Sequence, residues 1–169
     1  MLKLKPIFWI IVALVIVVLL GYSYLAFRES KIEQEGVVVC RENVCEKSIH
    51  IHSTLLVSVC GKPQNLPKET GELTDLHTHK EKNTIHFHER LKVAPNGNLL
   101  DPTPLMLDNA VQALFNKKLT QECFGEFCNG DSCPNGQPGK LSLTVNGKLE
   151  EKIPTFLWQD GNLIELTFE

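Results

Sequence analysis

Leu76-His77-Thr78-His79-Lys80-Glu81-Lys82-Asn83-Thr84-Ile85-His86-Phe87-His88-Glu89 holds four of the six histidines in this 169-residue chain. On a β-strand, residues i and i+2 project to the same side. His77 with His79, and His86 with His88, therefore each present two imidazoles on one face. The other two, His50 and His52, repeat the spacing, so every histidine belongs to a His-x-His pair. An antiparallel hairpin turning about Lys82-Asn83 would set His79 opposite His86 and His77 opposite His88, with opposed side chains about 5 Å apart. That register gathers four imidazoles into one patch, and a neighbouring strand carrying His50 and His52 would add two more.

Outward from this stretch the chain reads as β-rich. Ser48 to Cys60 is the longest strand-like segment, partly alternating and rich in β-branched residues, with His50, His52, Thr54, Leu56 and Ser58 on one face. Gly61-Lys62-Pro63 ends it, and residues 68–75 form a polar loop leading to the histidine hairpin. Beyond Arg90, the turn residues Ala94-Pro95-Asn96-Gly97-Asn98 and the prolines of Asp101-Pro102-Thr103-Pro104 exclude both a central strand and a helix interior. One helix follows: Asp108 is placed to cap Asn109–Lys118, with an apolar stripe of Ala110, Val111, Leu114 and Phe115.

The cysteine-containing segment Cys123 to Gly139 is rich in Gly, Pro and Asn and reads as a loop that is stapled rather than packed. The tail alternates again, with Leu141–Val145, a turn at Asn146-Gly147, the turn Asp160-Gly161 and a final strand Leu163–Phe168. Val57-Ser-Val-Cys-Gly-Lys62 echoes Leu143-Thr-Val-Asn-Gly-Lys148, as hairpins of like geometry choosing like residues would. The expected fold is mainly β (α+β), a small sandwich or barrel-like domain over 48–169 with one soluble helix and a C-terminal hairpin.

Two segments precede that domain. From Pro6 to Phe27 the chain carries no charge. As a helix this run would be ~33 Å long, enough to cross a bilayer core. Trp9, Tyr22 and Tyr24 suit its two interfaces, and Lys3 and Lys5 place the N-terminus on the cytoplasmic side. No small-x-small cleavage pattern follows the run, which favours an anchor over a cleaved signal peptide. The expected organisation is therefore a single-pass anchor over 1–28, a stalk with a Cys40/Cys45 turn over 29–47, and an extracytoplasmic domain. Residues 29–169 hold 14 Lys and Arg against 20 Asp and Glu, a charge of −6. With no basic stripe, nucleic acid is excluded as a partner; no protein partner can be named.

All six cysteines lie beyond the apolar run, an even set that reads as disulfides in an exported domain. Six cysteines allow fifteen pairings. The four-residue gaps let a turn join Cys40 to Cys45 and Cys123 to Cys128, which leaves Cys60 with Cys133. These spacings depart from the Cys-x2-Cys knuckles of zinc ribbons and the Cys-x-x-Cys of thiol oxidoreductases.

With thiols oxidised and imidazoles abundant, the implied chemistry is binding of a divalent transition metal, Zn²⁺ or Cu²⁺ ahead of Ni²⁺ or Fe²⁺, with Ca²⁺ and Mg²⁺ poorly suited. His77, His79 and His86 rank first as ligands, His50 and His52 next, and His88 last. A cluster that senses protons, or that is purely structural, is the competing reading. Glu81 and Glu89 lie close enough for acid–base chemistry, but acids beside turns are ordinarily solvated and neither is assigned a role.

The order His-x-His, strand, Gly-Lys, Leu76-His77-Thr78-His79, Ile85-His86 resembles an uncharacterised family of exported, often membrane-anchored archaeal and bacterial proteins. Further matches are Asn116-Lys117-Lys118, Cys123, Cys128-Asn129-Gly130, Val145-Asn146-Gly147-Lys148 and Asp160-Gly161, so the resemblance spans about residues 48–168. It implies an extracytoplasmic metal-binding domain without a defined reaction. Lys80 stands where that family has aspartate, and His88 precedes its acid where the family has an apolar residue. The reading that unites these features is a membrane-anchored protein for metal capture, delivery or sensing. A metalloenzyme with an open coordination position, or a structural domain of the envelope, are its alternatives, and whether a reaction is catalysed is undetermined.

Overall fold

Strand β2, Val44–Val59, runs through most of the sheet and is the element on which the others assemble. Its odd positions Ile51, Ser53, Leu55, Val57 and Val59 are buried, while His50, His52, Thr54, Leu56 and Ser58 take the opposite face. The computed structural model describes residues 8, 12–24, 38–41, 44–71 and 75–169. Within these, β1 (Val38–Arg41) pairs antiparallel with residues 44–47 of β2, and β3 (Lys62–Gln64) pairs with residues 57–59. On the other edge of the histidine-bearing half lies β5 (Thr84–Val93), antiparallel to residues 45–54, and β4 (Leu76–Thr78) pairs with β5.

The second half of β2 is joined in parallel by β10, Leu163–Phe168, which also pairs with β8, Leu141–Val145; β9, Lys148–Glu150, closes that side. The result is one eight-stranded sheet with the order β4-β5-β2-β10-β8-β9, an open path in place of the expected sandwich or barrel. A two-stranded ribbon of β6 (Cys123–Phe124) and β7 (Phe127–Cys128) lies apart from it. The sheet starts at Val38, ahead of the expected domain start at 48, so part of the presumed stalk is structural.

Both echoing hairpins use two consecutive left-handed residues, Cys60-Gly61 with φ of 51° and 74°, and Asn146-Gly147 with φ of 51° and 75°. Two positive φ values in sequence match the right-handed twist of the flanking strands, which is why glycine takes the second place in each.

One face of the sheet carries the core. Leu55, Val57, Ile85, Phe87, Leu143, Ile164, Leu166 and Phe168 pack there with Trp158 and with helix α1, Leu107–Phe115. The helix begins earlier and ends sooner than expected. Met106 is its N-cap, and Asn116 stops it in the left-handed region (φ 52°), so Lys117 and Lys118 fall outside. Asp108 lies inside the first turn, its carboxylate accepting from the Asn109 N–H. Leu107, Ala110, Val111 and Leu114 face the core. The segment 123–139 is packed as well as stapled: Phe124 is fully buried and edge-on to Phe115.

Disulfides join Cys40 to Cys45, Cys60 to Cys133, and Cys123 to Cys128. The first and third link residues directly opposed across β1/β2 and β6/β7. The second ties the end of β2 to a segment 73 residues away. Residues 12–24 are helical, and the outer parts of the expected membrane span lie outside the described residues. Among the described residues no helix is long and apolar enough to cross a membrane.

Candidate metal centre

The histidines occupy the face of the sheet opposite the core, and the ladder pairing aligns them. His77 in β4 lies opposite His86 in β5, and His86 lies opposite His52 in β2. One step along, His88 lies opposite His50. The register between β4 and β5 corrects the expected one by two residues. A two-residue hairpin turn at Lys82-Asn83 requires positive φ at its first position at least, and of these two residues only Asn83, the second, adopts it, with φ 60°. The connection therefore spans 79–83, and the opposed pair is His77–His86 in place of His79–His86. A slip by an even number leaves every side chain on its original face, so the histidine patch survives the change.

The backing of the patch is rigid. Ile85 and Phe87 alternate with His86 and His88, both are fully buried, and Phe87 meets Trp158 edge to face at 6.2 Å. The outer edge of β4 is held by the loop before it: the Thr78 N–H donates to the Thr70 carbonyl at 2.8 Å, and the Thr78 hydroxyl donates to the Pro67 carbonyl at 2.8 Å. Fixed backbones on both strands fix where the imidazoles point.

Two groups of three imidazoles are close enough to hold a metal ion. In the first, His77, His86 and His88 bring one nitrogen each within 4.8 Å of one another. His77 is 1% and His86 9% exposed. The Nε2 atoms of all three are buried with no hydrogen-bond partner among the described residues. His77 Nδ1 lies 2.8 Å from the Asp75 carbonyl oxygen. A carbonyl can only accept, so Nδ1 carries the hydrogen and Nε2 of the neutral ring presents a bare lone pair. Histidine ligands are oriented in this way at metal sites, the second ring nitrogen donating to a carbonyl or carboxylate.

Electrostatics disfavour a proton on His86 and His88. Burial pushes the His86 pKa from 6.5 down to about 4, with further lowering from His52, His79 and His77 and a small opposing effect of Glu81. His88 is lowered too, by burial first and then by His50, His77, His52 and His79. An unpaired buried polar atom costs roughly 1–3 kcal/mol, and three in one place form a set that a cation satisfies together.

The second group, His50, His52 and His88, sits nearer solvent. His50 Nε2 and His52 Nε2 are 3.1 Å apart. Asp160 Oδ1 accepts from the His52 backbone N–H at 2.8 Å and lies 3.6 Å from His52 Nδ1. The turn carrying Asp160 is fastened to β2: Gly161 N–H donates to the His52 carbonyl, and Ser53 Oγ donates to the Gln159 carbonyl.

His88, ranked last from sequence, belongs to both groups; His79, ranked among the first, belongs to neither. The His79 ring still stands 4.8 Å from that of His77 and 4.4 Å from that of His86. Sequence reading missed Asp75 and Asp160 as orienting groups. Asp75 acts on His77 through its backbone carbonyl, which no side-chain pattern marks, and the arrival of Asp160 beside His52 depends on a contact 108 residues apart. Among the described residues no cysteine is free, so thiolate ligation is closed and the donor set is imidazole. Burial, then the charge of Asp75, raises the Glu89 carboxyl above its usual range. No protein-family model, no curated protein and no solved structure matches this chain.

Proposed function

We propose that this chain is a membrane-anchored, extracytoplasmic metal-binding protein that captures, delivers or senses Zn²⁺ or Cu²⁺ through His77, His86 and His88. The observation that carries the reading is the convergence of three histidines, one ring nitrogen of each within 4.8 Å of the others, every one with a buried, unpartnered Nε2 and one of them oriented by the Asp75 carbonyl. Ordinary structural histidines find partners when buried; a set that leaves three Nε2 atoms unpaired suits a late first-row cation. Three disulfides support an oxidising compartment, and the uncharged run 6–27 with Lys3 and Lys5 ahead of it supports an anchor with its N-terminus inside. The resemblance to an uncharacterised exported family, which implies a metal-binding domain, points the same way.

The test is metal analysis of the full-length, untagged protein, followed by calorimetric titration of His77→Ala, His86→Ala and His88→Ala. Each variant should bind orders of magnitude more weakly. Unchanged affinity in all three would overturn the reading in favour of a proton-sensing or inert patch. A second reading, a metalloenzyme, rests on His79 lying outside the three-ligand group: three protein ligands leave one position for water. An exchangeable water on the bound metal, detected by pulsed electron paramagnetic resonance of the Cu²⁺ form, favours that reading, and a fourth imidazole nitrogen favours simple binding.

A further inference from the structure

The two histidine groups are not independent, because His88 is a member of both. Its ring is 3.9 Å from that of His50 on one side and 5.1 Å from that of His77 on the other. Exposure falls along this line: the His52 side chain is 47% exposed, His50 and His88 are half-buried, and His86 and His77 are enclosed. A neutral imidazole has one nitrogen with a free lone pair, the other carrying the hydrogen, so the groups compete for His88 rather than fill side by side.

We infer that His50, His52 and His88 form an outer station that accepts the cation from solvent and passes it to the inner group, with His88 as the ligand common to both states. The inference rests on the metal-binding reading above and adds a route to it. Its chemistry is ligand exchange alone, so no electrons move. At the outer station the Nε2 atoms of His50 and His52 face each other at 3.1 Å, a separation at which one carries the hydrogen and the other accepts it. Coordination by both requires that hydrogen to move to Nδ1 of the same ring or leave to solvent. Asp160 Oδ1 lies 3.6 Å from His52 Nδ1, and its negative charge favours an N–H at that position, which frees His52 Nε2 for the ion. The ion then exchanges His50 and His52 for His77 and His86 while His88 stays bound. The inner Nε2 atoms are buried and have no competing partners among the described residues, so the ion moves toward stronger ligation.

Stopped-flow mixing of the full-length protein with Cu²⁺ tests this, read by the ligand-field absorption that reports the nitrogen donors. The wild-type protein should show two phases: a fast one whose rate rises with Cu²⁺ concentration, and a slower first-order one that does not, the signature of transfer within one molecule. His50→Ala/His52→Ala should lose the fast phase and load at least tenfold more slowly, yet reach the wild-type final spectrum. His77→Gln, chosen because alanine at that enclosed position risks the fold, should keep the fast phase and lose the slow one. At saturation the wild-type protein should hold one tight equivalent. A single concentration-dependent phase in the wild type, wild-type loading by the His50/His52 variant, or two equivalents of equal affinity would each overturn the relay while leaving the inner site intact. If instead the wild-type protein binds no Cu²⁺, or His77→Gln binds it as tightly, the metal-binding reading itself fails.

Discussion

His77 and His86 stand directly opposite each other across β4 and β5, and each carries a buried Nε2 that the described residues leave without a hydrogen-bond partner. A fold selected for stability alone would place apolar side chains there. Replacing both the group and its burial penalty with hydrocarbon of similar size should be neutral or favourable. We therefore expect His86→Leu to raise the stability of the metal-free protein by about 1 kcal/mol while abolishing tight metal binding. Urea unfolding with and without chelator measures both effects. A loss of several kcal/mol in the metal-free variant would show that the imidazole is bonded within the fold and not held for a ligand.

Acid should destabilise the metal-free protein over a defined range. In the unfolded chain His86 titrates near 6.5, whereas in the fold it stays neutral down to about 4. Between these values the unfolded state holds a proton that the folded state lacks, so stability is complete above about 6.5 and erodes as pH falls toward 4. The His86 shift alone sets an upper bound of roughly 3 kcal/mol, and His88 acts in the same direction. Urea midpoints across this range, with chelator present, should fall steadily, and His86→Gln should flatten the slope. A midpoint independent of pH would contradict the lowered pKa.

The disulfides should differ in worth. Cys60–Cys133 spans 73 residues and Cys40–Cys45 only 5. Loop-closure entropy assigns about 4 kcal/mol to the first and about 2 kcal/mol to the second. Paired serine variants, compared by denaturant unfolding, should preserve that order; the reverse would mean that the denatured chain is already organised near β2.

Asn83 holds the only left-handed φ in the loop between β4 and β5. Asn83→Gly should be nearly neutral, while Asn83→Val should cost about 1–2 kcal/mol, since a β-branched residue resists that conformation. Thermal denaturation checks the difference, and metal affinity should fall with Asn83→Val because His86 lies three residues on, in the strand that this loop leads into.

Strand periodicity made the face of each histidine readable in advance, because it depends only on whether positions differ by two. Register was not readable for the same reason: pairings offset by two residues bury and expose the same side chains, and the register adopted goes with a loop in which Asn83, not Lys82, is left-handed. The long alternation of β2 and the Asn146-Gly147 turn were legible as local patterns. The parallel pairing of Leu163 with Thr54 was not, since nothing local in either strand names a partner more than a hundred residues away. The burial of Phe124 was hidden by the Gly, Pro and Asn around it, which describe the turns of that segment and not the single side chain it sends inward.

β10 occupies the middle of the sheet, between β2 and β8, yet follows every other strand along the chain. The histidine-bearing half, β4-β5-β2, is thus available before the strand that joins it to β8 and β9 can be made. A chain emerging from a ribosome or a translocation channel would display its imidazoles, and the bare edge of β2, throughout that interval. An ion taken up then would stitch β4 to β5 early and leave less of the topology to be searched once β10 arrives, so the timing of metal supply relative to synthesis bears on the yield of folded protein as well as on its occupancy.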